Sequence, residues 1–320
     1  MDNLADTEVT PISDGTAECG ENAPSHSKGG FNLDHLCEDR RKQALLPNQQ
    51  RIELIRNGVV IEHPAFARAL DHASWLMSQP GGSLGRGMLL MGDSGAGKTT
   101  FGDLLGSLFA ANSGEGRIVM IDASGAKSMR EIYGRVLQAL DGPVGRSMHT
   151  PDRELAVIRL FRALKVRALI VDEVQSIAEG NEKEQRRVLD GIKYLMNTTR
   201  IPLVCLGAPE SERALVTDRH LAQRLPRFWL KPWQVNQDFL DFLTAVQTAL
   251  PLRKPSELRD EAVLKFLIEA TEGSLRRIME IITNAAVQAI LSGSERLTLD
   301  GLRNALTVPS RHDCAANPDA

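Results

Sequence analysis

Gly92-Asp93-Ser94-Gly95-Ala96-Gly97-Lys98-Thr99-Thr100 is the stretch that decides the fold of this 320-residue chain. It satisfies the phosphate-loop pattern G-x-x-x-x-G-K-[ST], with Gly92, Gly97, Lys98 and Thr99 at the required spacing. The preceding Met88-Leu89-Leu90-Met91 is a short apolar run of the kind that forms a buried strand. The following residues, Phe101 to Ala111, set Phe101, Leu104, Leu105 and Leu108 at helical spacing. Strand, glycine loop and helix therefore occur in the order that the chemistry needs. Glycines let the backbone fold tightly, so that successive N–H groups point at one phosphate chain and the helix N-terminus adds its dipole. Lys98 is expected to reach the β/γ-phosphates, and the Thr99 hydroxyl to ligate Mg²⁺. The stretch implies a nucleoside triphosphate as the bound species.

Such a loop needs a carboxylate to hold the magnesium-bound waters, normally at the end of a neighbouring buried strand. Ala168-Leu169-Ile170-Val171-Asp172-Glu173 supplies one. Four apolar residues bury the strand, and Asp172 emerges at its carboxyl end, where ligands of parallel sheets bind. Glu173 beside it points to hydrolysis, because a carboxylate there can polarise a water for in-line attack on the γ-phosphate.

Outward from these two motifs the chain alternates strand and helix. Strands are expected at Arg117–Asp122, Ala168–Val171 and Pro202–Leu206. Helices are expected at Ser128–Leu140, with Ser128 and Glu131 in a capping box, at Asp152–Leu164 and at Lys183–Asn197. The alternation predicts an α/β fold: a parallel sheet with helices on both faces. After Pro232 the pattern changes to four helices, Asn236–Ala249, Asp260–Thr271, Leu275–Leu291 and Leu299–Leu306, which read as a small all-helical lid. Upstream, Leu36 to about Arg56 reads as basic and helical, and Val59-Val60-Ile61 leads to His63-Pro64. Phe66–Met77 is an amphipathic helix, ended by Pro80-Gly81-Gly82-Ser83. The expected organisation is an acidic disordered leader at 1–34, an N-terminal helical segment at 35–82, a nucleotide-binding domain at 83–234, the lid at 235–308 and a tail at 309–320.

Composition is that of an ordinary globular protein, 42% hydrophobic and 25% charged. No apolar run approaches a bilayer span, and the acidic N-terminus is unlike a signal peptide, so the expectation is a cytoplasmic protein with no membrane partner. The four cysteines are scattered and suggest neither a zinc site nor a disulfide framework. Residues 1–39 carry −8 of formal charge, and the remainder carries +5. An acidic leader on a mildly basic body is compatible with nucleic-acid binding.

Three further places bear on the class of nucleotide enzyme. The strand ending at Leu206 runs into Gly207-Ala208-Pro209-Glu210, which offers no side chain at its tip to touch a γ-phosphate. Asp218-Arg219-His220-Leu221-Ala222-Gln223-Arg224-Leu225 places two arginines at a helix start, and either Arg219 or Arg224 could serve a neighbouring subunit's phosphates in trans. In the lid, Arg276 opens a helix after Gly273 and could swing over the nucleotide. Trp229 and Trp233 precede the lid and are expected to pack there.

Together these motifs resemble the AAA+ superfamily, and within it the TniB-type transposition ATPases, relatives of TnsC and more distantly of MuB. The resemblance is carried by Arg51-Ile52-Glu53-Leu54-Ile55 through Ile61-Glu62-His63-Pro64, and by Gly87 to Gly92 leading into the loop. It continues through Ile170-Val171-Asp172-Glu173-Val174-Gln175, Leu206-Gly207-Ala208-Pro209-Glu210 and Leu221-Ala222-Gln223-Arg224, covering roughly residues 45 to 306. The family often has threonine where this chain has Ala208, so its first sensor departs from the pattern. The resemblance implies an AAA+ ATPase with a P-loop three-layer sheet that uses ATP and Mg²⁺. It also implies ring or helical self-assembly on double-stranded DNA without sequence preference, and recruitment of a DDE-type transposase. By the same resemblance Val60 and Ile61 would line the adenine pocket. Lys127 and Arg130, at the loop and helix start after the second strand, are the candidates for DNA contact. A replication loader or initiator is the competing expectation, weakened by the lack of a helix-turn-helix after the lid. A nucleotide-gated protein-interaction ATPase that never touches DNA is another.

Overall fold

The structure is a computed structural model that describes residues 31–58, 60–61, 63–79, 85–111, 116–179, 181–216 and 218–306. Most of the expected leader, the Pro80-Gly81-Gly82-Ser83 break and the expected tail lie outside the described residues. Five strands, β1 (Gly87–Gly92), β2 (Ile118–Asp122), β3 (Ala168–Asp172), β4 (Leu203–Gly207) and β5 (Arg227–Leu230), form one sheet in the order β2-β3-β4-β1-β5. Every described pairing is parallel.

Period-two alternation splits β1 to β4 between two cores. Leu89, Met91, Val119, Ile121, Leu169, Val171, Leu203 and Cys205 face α5 (Met129–Ala139), α6 (Thr150–Ala163) and α7 (Glu182–Thr199). Met88, Leu90, Ala168, Ile170, Val204 and Leu206 face α3 (Pro64–Ser78) and α4 (Lys98–Ala111). Both faces are covered, which is why these strands read as unbroken apolar runs. The capping box of Ser128 and Glu131 starts α5 as expected, and Asn181 with Glu184 forms a second one at α7.

A separate core holds the lid helices α10 (Gln237–Ala249), α11 (Glu261–Thr271), α12 (Leu275–Ser292) and α13 (Leu299–Leu306). Ile52 and Ile55 of α2 (Asn48–Arg56) belong to this core, whereas α3 belongs to the sheet. The short link 57–63 thus joins an element that rides on the lid to one that rides on the sheet.

The structure departs from the sequence expectation at two places. The stretch expected to be helical from Leu36 to Arg56 is two helices, α1 (Glu38–Ala44) and α2, separated around Pro47, whose ring disfavours helical backbone in the residue before it. Trp229 is not packed on the lid: it lies in β5 and remains 37% exposed, while Trp233 alone joins the lid core, stacked on Phe242 at 4.7 Å.

Candidate active site

The phosphate loop leaves the carboxyl end of β1, and the lid closes over it. Gly95 (φ +78°) is the point of closest approach: a Cβ there would stand 2.8 Å from Arg276 Cβ, so only glycine admits the lid helix. The Arg276 N–H donates to the Gly95 carbonyl at 3.1 Å, which seats the start of α12 directly on the loop. Its guanidinium is exposed beside the cleft.

Lys98, the first residue of α4, is only 7% exposed and donates to the carbonyls of Gly92 (2.8 Å) and Asp93 (3.0 Å). Burial lowers its pKa, opposed by the nearby Glu173, Asp172 and Asp93 carboxylates and reinforced by Arg276. Thr99 Oγ1 donates to Asp172 Oδ2 at 2.8 Å, so a hydroxyl from the loop helix and a carboxylate from β3 stand side by side. Two hard oxygen donors fit Mg²⁺, which binds through one or two carboxylates, waters and phosphate oxygens rather than an all-protein cage. Among the described residues there is no group of three or more His, Cys, Asp or Glu that could hold a metal ion.

Glu173 follows in left-handed backbone (φ +54°), an uncommon conformation for a residue with a side chain. Its N–H donates to Asp172 Oδ1 at 2.8 Å, and Gln175 Nε2 donates to its Oε2. The cleft between loop and lid has a volume of about 570 Å³ and is lined by Ser94, Gly95, Gly97, Lys98, Thr99, Thr100, Glu173, Arg276, Val60 and Ile61. Of the loop residues read from the sequence, Gly92 closes β1, and Asp93 and Ala96 lie on the other side of the loop, on a smaller adjoining cavity. Glu280, Thr283 and Asn284 of α12 also line the main cleft. Sequence reading passed over them, although Glu280 and Asn284 follow Arg276 at the four-residue spacing of one helix face.

In the sequence His63 stands only in the link before α3. It sits edge-on to Trp233 at 5.0 Å, at the wall of the cleft. Burial pulls its pKa down to about 4, with Asp238 opposing and Arg68 adding to the shift. A histidine held neutral in the fold takes up a proton near pH 6.5 once unfolded, so stability declines as pH falls from about 6.5 towards 4. Thermal melts at pH 7 and pH 5 should therefore differ less for His63→Phe than for the parent chain. An unchanged difference would contradict the buried, neutral state.

The remaining candidates lie apart from this cleft. Lys127 and Arg130 are exposed beyond the carboxyl end of β2, and Arg130 donates to the Arg146 carbonyl at 2.8 Å. Arg219 is exposed at the start of α9 (Arg219–Ala222). The Arg224 carbonyl accepts from the Gly87 N–H at 3.1 Å, at the amino end of β1, and its side chain donates to Asn197 at 2.8 Å. Six strand residues, about 17 Å of rise, separate that end from the phosphate loop of the same chain.

The family model described as "Bacterial TniB protein" matches residues 51–235, from the buried Arg51 of α2 through β5. The chain belongs to the TniB family. TniB proteins are transposition-associated AAA+ ATPases. No curated protein sequence matches this TniB chain. Among solved structures it is similar to the ORC2 protein of Aeropyrum pernix in its ADPNP–ADP complexes, with a TM-score of 0.56 and 16% identity, over 78% of this chain and 69% of that one. It is similar to Cdc6p from Pyrobaculum aerophilum at a TM-score of 0.56 and 18% identity, over 82% and 72%. The A. pernix ORC1 protein in complex with DNA follows at 0.55 and 16%, over 83% and 68%. At such identities the likeness speaks for the fold, which is the AAA+ P-loop fold expected from the motifs. Among the described residues no helix is long and apolar enough to cross a membrane.

Proposed function

We propose that this TniB chain is an ATPase whose protomers assemble on double-stranded DNA when Mg·ATP is bound, mark target DNA and recruit a DDE-type transposase in the cytoplasm. The observation that carries the reading is the meeting of Thr99 and Asp172 at 2.8 Å, with Lys98 and Glu173 lining the same cleft. Thr99 and Asp172 would hold Mg²⁺, and Lys98 and Arg276 would neutralise phosphate charge. Glu173 would take the proton of the water that attacks the γ-phosphorus, with ADP leaving in line. Residues 235–308 act as the lid that senses this state through Arg276.

Arg224 supports a trans arrangement, because its backbone is anchored at the far end of β1 from its own phosphate loop. Arg219 is the alternative donor. Lys127 and Arg130 are the proposed phosphate-backbone contacts, weak singly and additive when many protomers line one duplex.

The test is a gel shift on non-specific duplex DNA with ATP, ADP or no nucleotide, run beside sizing of the protein alone. ATP-dependent, sequence-indifferent binding with growth in size is expected. Arg224→Ala should keep monomer affinity for ATP while losing roughly three orders of magnitude in turnover, the scale of an arginine finger. A protein that ignores ATP in calorimetry and keeps one size throughout would overturn the reading. Normal ATP use without any DNA binding would favour the protein-interaction ATPase instead.

A further inference from the structure

The β4 exit, Gly207-Ala208, carries no side chain able to touch a phosphate or a water, yet this tip is not chemically silent. Gln175, in the 3-10 turn Val174–Glu179, reaches it from the neighbouring strand's connection. Its Oε1 accepts from the Ala208 N–H at 3.0 Å and from the hydroxyl of the fully buried Ser211 at 3.3 Å. Its Nε2 donates to Glu173 Oε2. Both ends of one carboxamide are thereby in use, one on the backbone of the β4 exit and one on the carboxylate that would activate water.

Gly207 is what makes the reach feasible: a Cβ there would stand 2.8 Å from Gln175 Oε1 and 2.0 Å from Ser211 Oγ. Ser211 in turn opens α8 (Ser211–Val216), and its own N–H donates to the Ala208 carbonyl at 2.9 Å. From α8 the chain continues into α9 and on to Arg219 and Arg224.

We propose that Gln175 is a positioning residue that holds the Glu173 carboxylate and ties it to the β4–α8 turn, replacing the side chain that the turn itself lacks. One carboxylate oxygen is fixed by the amide, which leaves Oε1 of Glu173 to receive the proton of water. The Glu173 side chain leaves left-handed backbone at the end of a strand, and this bond holds its Oε2. The segment bearing Arg219 and Arg224 is connected through Ser211 and Ala208 to the same amide. Movement of that segment against a neighbouring protomer thus reaches Glu173 without any side chain of the β4 tip. The inference rests on the ATPase reading above and adds to it the group that orients the base.

The experiment uses the full-length chain and measures ATP affinity by calorimetry, steady-state turnover against ATP concentration, and turnover against pH. Gln175→Ala should lower kcat by about a hundredfold, the cost of a misaimed reacting group, with ATP affinity within about twofold of the parent. Gln175→Glu should put two carboxylates in contact, which then share a proton, so the acid limb of its kcat–pH profile should move upward by about one unit or more. Ser211→Ala, which removes one donor to Gln175, should show a smaller loss confined to kcat. Combined with Gln175→Ala it should cost nothing further.

Gln175 variants with parental kcat and pH profile would overturn the proposal while leaving the ATPase reading intact. A loss of ATP affinity parallel to kcat would reduce Gln175 to a structural role, and additive losses in the double variant would break the proposed link to α8. A parent chain that binds ATP without hydrolysing it would overturn the assigned base and its positioning together.

Discussion

Glu173→Gln lowers ATP turnover by about two to four orders of magnitude, the usual contribution of a general base, while ATP affinity stays near that of the parent. The expectation follows from what the substitution keeps. Lys98, Thr99, Asp172 and the loop amides are untouched, and the glutamine matches the carboxylate in shape but cannot take a proton. Phosphate and metal contacts therefore persist while the water loses its acceptor. With hydrolysis blocked, assemblies formed with ATP should outlast those of the parent, which sizing over time will show. The measurement pairs single-turnover hydrolysis with nucleotide affinity. Parental turnover would remove Glu173 from the chemistry, and lost affinity would assign it to binding instead.

Arg51→Met destabilises the chain by about 3–5 kcal/mol, the cost of stranding a buried charge. Arg51 is 0% exposed, and its guanidinium spans both oxygens of Glu295 at 2.7 Å while also donating to Asn48 Oδ1 and the Pro251 carbonyl. Arg253 closes the far side of Glu295, 3.7 Å away. Burial alone would raise the Glu295 pKa, but its hydrogen bonds to Arg51 and attraction to both arginines overrule it and the value falls. The stability this carboxylate contributes is present above its unfolded pKa and is lost as pH drops through the lower folded value. Replacing both partners with apolar residues, Arg51→Met with Glu295→Leu, should recover most of the loss, because no charge is then left behind. Urea unfolding of the single and double variants checks this. Equal destabilisation by the two would deny the pair its role. Arg51 anchors α2 to the lid, and α2 leads into Val60 and Ile61 at the cleft. ATP affinity should therefore weaken in the single variant as well.

The phosphate loop acts through backbone groups of consecutive residues, so its role is written in the spacing of Gly92, Gly97 and Lys98. The Asp172-Glu173 pair follows a run of apolar residues that is buried on both faces, and such runs need no partner to be recognised. The capping box of Ser128 and Glu131 is equally local. β5 escaped notice because Arg227-Phe228-Trp229-Leu230 lacks both an unbroken apolar run and a clean alternation, with prolines close on either side. Its strand character comes from pairing with the free edge of β1. Arg51 read as one more basic residue on a helix, since nothing nearby in the chain announces a carboxylate 244 residues away.

Residue order alone determined that this chain carries a phosphate-loop motif and a carboxylate pair and alternates strand with helix, because each feature is built from neighbours along the backbone. Tertiary structure decided that Gln175 meets Ala208 and Glu173, that Arg224 sits at the opposite end of β1 from its own phosphate loop, and that α2 rides on the lid rather than the sheet. These depend on which distant segments are brought together when two cores and a lid close. That free energy belongs to the whole fold, and no window of sequence contains it.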